Sequence, residues 1–587
     1  MSPAANSLRP RDPVPSRSPA RAWWRKVFVR LRDIDPIAPF ALGISAAYFF
    51  VGLGSFGLLD NNEGLYAQIA HSMAAGGDWI IPQLNGLPYI EKPPLFYYLL
   101  ALSFRCFGEG ESSARLVSAA AAMACLATML WFGQRVAGRQ VAGYGALVLG
   151  SSLGFTIMAR EVMPEMLLTA LLTGALLTAY AALNERNRGL LRLSLVLLAF
   201  GTLTKGLLVP ALFVLTFSVF ALARRRGSMG RMVRFLADPV GWALFLLVAA
   251  PWHLLAAHAD ADFAQFYFVN EHLLRFLGWR EPHDFSSGPA WYYLPRLILF
   301  LFPWPAYLLL VFRRAPKPAD AQRDLRAFLW IAGLVPLAFF TFSQAKANYY
   351  PLVAMPPLAL VIGLRIQSML ENGGHRLLSI PIAVLVAGLG SFAVLHWQLV
   401  PQLPSGVPVS PTALGLAVAA IVALGAYATL FTFRQRTRLA LASVALMAAP
   451  LLAVVVSTVQ EREAEFSSRP LAATIAGVEP NPEVFLFQDF EQLCALPYYL
   501  KQPVRIIDSH SDDLRFGQRR GANPAAFVTA AQFLDQPATR PRLVIVEGPR
   551  LPAFQRSPLA KELTLVTKVG RVEIYRERPW SDALAGK

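Results

Sequence analysis

Apolar runs of near-spanning length, about 20 residues each, recur along most of the chain and alternate with short polar stretches rich in arginine. They fall near 38–58, 113–136, 139–157, 162–183, 189–204, 205–223, 238–257, 290–313, 325–343, 347–366, 378–397, 411–433 and 437–458. The pattern predicts a polytopic α-helical membrane protein with about thirteen transmembrane helices. The count turns on 189–223, one apolar run broken by Thr204-Lys205-Gly206. If that break is a surface turn there are two spans; if not, every later orientation flips.

The polar stretch after the first run, 59–112, has its own periodicity. Tyr66, Ile69, Ala70 and Met73 recur at helical spacing, and 94–107 is apolar and aromatic but too short to span. Both predict helices lying in the membrane interface, with Trp79, Tyr89, Tyr97 and Tyr98 at headgroup level. The loop 258–289 has a similar aromatic character. Beyond Val459 the pattern changes to short strands, at 483–487, 503–507, 543–546 and 571–575, with helical stretches near 490–501, 524–535 and 552–562. A small soluble α/β domain is expected at 459–587, following a membrane domain at 37–458 and a disordered basic tail at 1–36.

Charge orients the spans. The 587 residues are 55% hydrophobic and only 16% charged, yet the net charge is +17. With the break counted as a turn, the arginine clusters at 135–139, 185–192, 224–234, 313–326, 365–376 and 434–438 share one side with the N-terminal tail, which makes that side cytoplasmic. The long loop 59–112, the loop 258–289 and the C-terminal domain then face outward. Basicity between spans, without a basic stripe on a soluble domain, excludes nucleic acid as the partner. Cys106, Cys125 and Cys494 have no metal-ligand spacing and form no disulfide framework.

Once oriented, the ionisable residues at the outer span ends form a pattern. Asp60 and Glu63, Glu91 and Lys92, Arg160, Glu161 and Glu165, Lys205, His272 and Arg275, and Lys346 come from separate loops but share the outer face. Charge in hydrocarbon is costly, so this grouping marks a candidate site. Cations there can hold a phosphate, and a carboxylate can deprotonate an acceptor. A substrate that is anionic, amphiphilic and reached from the membrane fits such a set. A transporter would instead place its charges near mid-membrane between repeated halves.

At these residues the sequence resembles the bacterial GT-C glycosyltransferases related to protein O-mannosyltransferases, particularly the aminoarabinose transferases of lipid A. The resemblance is carried by Asn62-Glu63-Gly64-Leu65-Tyr66-Ala67, Gly77-Asp78-Trp79, Tyr89-Ile90-Glu91-Lys92-Pro93-Pro94, the stretch Arg160 to Glu165, Lys205-Gly206, the segment holding His272 and Arg275, and Ser343-Gln344-Ala345-Lys346. It implies a GT-C fold in the inner membrane with the C-terminal domain in the periplasm. It also implies transfer of a hexosyl or pentosyl group from an undecaprenyl-phosphate-linked sugar to lipid A or another envelope acceptor. A flippase for the same lipid-linked sugar is the alternative.

The family's catalytic aspartate corresponds to Asn62 here, and an amide cannot act as a base. The catalytic part therefore falls to Asp60, Glu63 or Glu165. Tyr66, Tyr89, Lys92, Arg275 and Lys346 are expected to hold the donor and its phosphate, with Asn62, Glu91, Arg160 and His272 shaping the site. No cofactor is required on this reading, although Glu91 and His272 would offer ligands to a divalent metal ion if they converge.

Overall fold

A computed structural model describes residues 36–224, 226–282, 287–310, 320–388 and 410–577. The expected basic tail, the second half of the 378–397 span and nearly all of the 398–410 loop lie outside the described residues. Among the described residues seven helices are long and apolar enough to cross a membrane, or eight if the bent pair Arg139–Gly150 and Leu153–Ala159 forms one span. The expected spans at 38–58, 205–223 and 378–397 appear as the shorter apolar helices Ile37–Phe50, Leu208–Ala223 and His375–Gly388. The run 290–313 divides into Tyr293–Phe300 and Pro305–Leu309.

The break at Thr204-Lys205-Gly206 is real. Helix α1 (Arg188–Lys205) ends there, Gly206 turns the chain with φ at +69°, and α2 (Leu208–Ala223) begins. At the other end of α1, Asp238 caps the helix Pro239–Ala259 through the Gly241 amide and binds both Arg188 and Arg192. A capping carboxylate paired with arginines suits a helix N-terminus at a basic surface.

The outer loop forms the two expected helices, α3 (Glu63–Ala74) and α4 (Leu95–Phe107). Its aromatic residues are not all at headgroup level, however. Tyr89 and Tyr97 are buried at 4% and 1% exposure, because the C-terminal domain closes over this loop. Between the helices, β1 (Gln83–Leu84) and β2 (Leu87–Pro88) make a hairpin whose Asn85-Gly86 tip adopts positive φ at both positions. The buried Asn85 side chain exchanges two hydrogen bonds with the backbone of Val504, at 2.8 and 2.9 Å, and so pins the loop to the C-terminal domain.

That domain holds a six-stranded sheet, ordered β5 (Phe527–Val528), β4 (Arg505–Ile507), β3 (Glu483–Phe487), β6 (Arg542–Glu547), β8 (Val572–Glu577) and β7 (Leu563–Val569). The first four strands are parallel and the last two antiparallel. Every residue of β6 is buried, as a strand covered on both faces requires. Val484, Leu486, Leu543 and Ile545 join the core that runs through the membrane domain, while Phe485, Phe487, Val544 and Val546 form a separate core with Phe533 and Phe554. Alternation along the strands thus faces one side of the sheet toward the membrane domain.

Candidate active site

The outer ends of α1 and α2, the Tyr89-to-Pro94 segment, the π-helical stretch Gln265–Leu274 and the Tyr349–Tyr350 turn enclose a cavity of about 380 Å³. One wall is apolar, from Leu207, Leu208 and Ala211 to Phe339 and Phe340. The lining also carries Glu91, Lys92, Glu165, Lys205, Glu271 and Arg275. An apolar slot beside an ionic wall is the environment an amphiphile with a charged head needs.

Glu91, Lys92, Glu271 and Arg275 form one network with Arg280. Glu271 binds Arg280 Nε through Oε1, while its Oε2 lies 3.0 Å from Arg275 Nη1 and 3.5 Å from Lys92 Nζ. Glu91 lies 3.0 Å from Arg280 Nη2 and 3.6 Å from Lys92 Nζ. Burial pushes the Glu271 carboxyl up, but Lys92, Arg280 and Arg275 outweigh it and hold the group well below the usual carboxylate range. Among the described residues, Lys92, Arg275 and Arg280 thus gather around Glu91 and Glu271. Lys92 and Arg275 are the members most open to the cavity, at 18% and 26% side-chain exposure.

Glu165 stands apart from that network. It opens the helix Pro164–Glu185, where Pro164 at the first position fixes the backbone, and it is 96% buried. One oxygen binds Lys205 Nζ; the other has no hydrogen-bond partner. Lys205 also lies 5.4 and 5.1 Å above the rings of Tyr349 and Tyr350. A buried carboxylate fixed by one cation, with a free oxygen in a cavity wall, can accept a proton from a bound hydroxyl.

Several expected site residues lie elsewhere. Glu63 is fully buried and saturated: Arg115 binds both oxygens, at 2.9 and 2.6 Å, and the amides of Val162 and Leu59 complete the shell. That carboxylate is structural. Asp60 accepts from Ser468 Oγ and the Ala495 amide of the C-terminal domain, so it joins the two domains and does not face the cavity. Arg160 donates to the carbonyls of Tyr48, Val51 and Gly52 and thereby caps the first membrane helix. Lys346 spends its three donors on the carbonyls of Phe340, Thr341 and Ser343, leaving none for a phosphate. Tyr89 donates to Glu91 Oε2 and is not part of the lining, and Asn62 is an exposed residue at the start of α3.

Of the expected residues, the cavity brings together Tyr66, Glu91, Lys92, Glu165, His272 and Arg275. His272 is already engaged on both nitrogens: Nδ1 pairs with the Tyr267 carbonyl at 2.6 Å and Nε2 accepts from the Leu207 amide at 3.0 Å. Burial pulls its pKa down, so the ring is held neutral. Both ring nitrogens therefore have partners, and Glu91 is itself paired with Arg280. Among the described residues no group of three His, Cys, Asp or Glu side chains is placed to hold a metal ion.

Sequence reasoning missed Glu271, Arg280, Tyr349 and Tyr350, and it placed Lys205 in the outer-face grouping without giving it a role. A signal existed for Lys205, since a lysine followed by glycine interrupts an otherwise apolar run. Glu271 adjoins His272, and only the π-helical turn, which carries its side chain into the same wall as Arg275, reveals its role.

Residues 91–254 match the family model described as dolichyl-phosphate-mannose-protein mannosyltransferase. The structure superposes on the crystal structure of ArnT from Cupriavidus metallidurans bound to undecaprenyl phosphate, with a TM-score of 0.74 over 94% of this chain and 98% of that one, at 22% identity. The fold is the GT-C fold. Against the apo state of the same ArnT the TM-score is 0.76 at 20% identity, covering 95% of this chain and 98% of that one. In sequence, the chain is similar to the undecaprenyl phosphate-alpha-4-amino-4-deoxy-L-arabinose arabinosyl transferase of Pseudomonas aeruginosa strain LESB58, 32% identical over 357 residues. That match covers 58% of this chain and spans 62% of the length of the curated relative. The chain is thus a multi-pass membrane protein with the GT-C fold, similar to the aminoarabinose transferases.

Proposed function

We propose that this chain is a glycosyltransferase that moves a sugar from a polyprenyl phosphate to lipid A or another envelope acceptor, at the periplasmic face of a bacterial inner membrane. The observation that carries this reading is one cavity lined both by the cations Lys92, Lys205 and Arg275 and by apolar side chains such as Leu208, Ala211 and Phe339. A polyprenyl tail fits the slot, and the phosphate sits against Lys92 and Arg275. Similarity to the aminoarabinose transferases makes an amino-pentose the sugar to test first.

In the reaction, Glu165 takes the proton from the acceptor as the acceptor attacks the sugar's anomeric carbon. The bond to the phosphate oxygen breaks, and the diester leaves as a monoester anion that needs no proton. Lys92 and Arg275 stabilise the charge as it develops. Protein cations thus do the work of a divalent ion, so chelation with EDTA should leave transfer intact. The positive-inside pattern places the N-terminus in the cytoplasm, with residues 459–587 outside.

Mass spectrometry of lipid A and envelope glycans, from cells with and without the protein and with Glu165→Gln, tests this reading. A sugar-sized increment that depends on the protein and on Glu165 supports it. Unchanged glycans, accompanied by movement of polyprenyl-phosphate sugar between leaflets, would replace it with a flippase.

A further inference from the structure

The end of α1 remote from Lys205 is a corner rich in arginine. Segments 186–192 and 224–240 together contain eight arginines and one carboxylate, Asp238. Asp238 already bonds the Gly241 amide, Arg188 at 3.1 Å and Arg192 at 3.0 Å. The helix Asp320–Phe342 brings one more carboxylate, Asp324, and Arg224 pairs with it. Arg188 keeps 64% of its side chain exposed, and among the described residues no ion pair engages Arg231 or Arg234.

Arg231 and Arg234 stand on the helix Arg226–Leu236, and its residue spacing turns them outward. Met232, Phe235 and Leu236 fall within about 100° of one another around the helix axis and pack on the membrane-domain core. Arg231, Val233 and Arg234 take the remaining arc and are exposed. Trp242 Nε1 donates to the Leu236 carbonyl at 3.0 Å, which ties the end of this helix to the next one, Pro239–Ala259.

Apolar side chains are left open within two residues of these charges. Leu222 at the end of α2, Val233, and Val240 at the start of the helix Pro239–Ala259 are 73%, 55% and 47% exposed. A nucleic acid or an acidic protein segment would meet the charge and leave those side chains in water. A phospholipid supplies a phosphate for the arginines and acyl chains for the apolar residues.

We propose that this corner binds an anionic bilayer phospholipid, with Arg231 and Arg234 on its phosphate and Leu222, Val233 and Val240 against its acyl chains. The site is separate from the donor cavity, because the 18 residues of α1 put its Arg188 end about 27 Å from Lys205. It stands whether or not the glycosyltransferase reading does.

The test is native mass spectrometry of the purified full chain in detergent, titrated with phosphatidylglycerol or with phosphatidylcholine of the same acyl chains. The wild type should hold phosphatidylglycerol about ten-fold more tightly or better. Arg231→Gln combined with Arg234→Gln, two exposed positions, should weaken phosphatidylglycerol binding by about 30-fold, the combined contribution of two interfacial arginines. Lysine at both positions should keep most of the affinity, and undecaprenyl phosphate should bind all three proteins alike. Equal affinity of the wild type for the two phospholipids overturns the site without recourse to a variant. Unchanged phosphatidylglycerol affinity in the glutamine variant overturns its placement on this helix. Undecaprenyl phosphate that displaces phosphatidylglycerol one for one would overturn the assignment to a bilayer phospholipid.

Discussion

Lys205 Nζ binds one oxygen of Glu165, and the second oxygen of that carboxylate is buried in the cavity wall without a partner. A buried acceptor without a partner among the described residues is available to a hydroxyl bound beside it. Glu165→Gln keeps the shape but cannot take the proton. Transfer should fall by roughly 100- to 10,000-fold, the usual worth of a general base. Undecaprenyl phosphate binding should persist, because the proposed phosphate contacts are Lys92 and Arg275. A variant that transfers sugar at the wild-type rate would remove Glu165 from the mechanism.

The pair formed by Glu63 and Arg115 predicts the opposite kind of phenotype. Both side chains are 1% exposed, and Arg115 also donates to the carbonyls of Leu53, Phe56 and Gly57. Removing one partner strands a buried charge, at a cost of about 3–5 kcal/mol. Arg115→Ala should therefore show a markedly lower Tm in a thermal melt of purified protein. Glu63→Gln leaves the buried Arg115 charge without its carboxylate and should lower Tm as well, but it keeps an acceptor for the Val162 or Leu59 amide, and the protein that folds should retain measurable transfer. Loss of all activity in well-folded Glu63→Gln would return Glu63 to the catalytic role the sequence suggested.

The contrast between these two carboxylates shows where sequence reasoning reached its limit. Apolar period is a property of whole segments, so the apolar helices and the broken run at Lys205 were legible. The site's cavity-lining half, Tyr66, Glu91, Lys92, Glu165, His272 and Arg275, was legible because those residues combine charge or ring chemistry with a span end. Whether a given carboxylate is free or saturated depends on partners far along the chain, such as Arg115 for Glu63 or Ser468 for Asp60. No local pattern carries that. In the C-terminal domain, β5 has only two residues, and β7 is an edge strand of mixed exposure, so neither gave a run of apolar positions to read.

His272 and Gly206 make a third case. A Cβ on Gly206 would lie 2.2 Å from His272 Nε2 and 2.6 Å from Tyr267 Oη, at a φ that L residues rarely adopt. The histidine holds the turn that carries Lys205, by accepting from the Leu207 amide. Gly206→Ala should displace that turn and lower both donor affinity and transfer. His272→Ala should do the same more mildly, without any change in sensitivity to EDTA. A His272→Ala protein whose transfer is restored by added zinc would instead mark the residue as a metal ligand.

The contact between Asp60 and the C-terminal domain predicts how pH acts on the whole molecule. Burial raises the Asp60 carboxyl from 3.8 to about 7, against the opposing hydrogen bonds from Ala495 and Ser468; Arg571 also lowers it and Glu547 raises it. Because the folded value lies above the unfolded one, the docked domain binds this proton more tightly than the unfolded chain does. The stabilisation is complete below about 3.8 and is lost as pH rises through about 7. Glu161, pushed up to about 8 mainly by burial, adds a slope of the same sign at slightly higher pH. Asp60→Asn keeps an oxygen for the Ala495 amide and an NH2 for Ser468 without the charge. It should flatten the pH dependence between about 4 and 7 and protect the Ala495 amide from hydrogen exchange at neutral pH. Exchange at Ala495 that climbs with pH as steeply in Asp60→Asn as in the wild type, after correction for the intrinsic rate, would show that the junction does not titrate through Asp60.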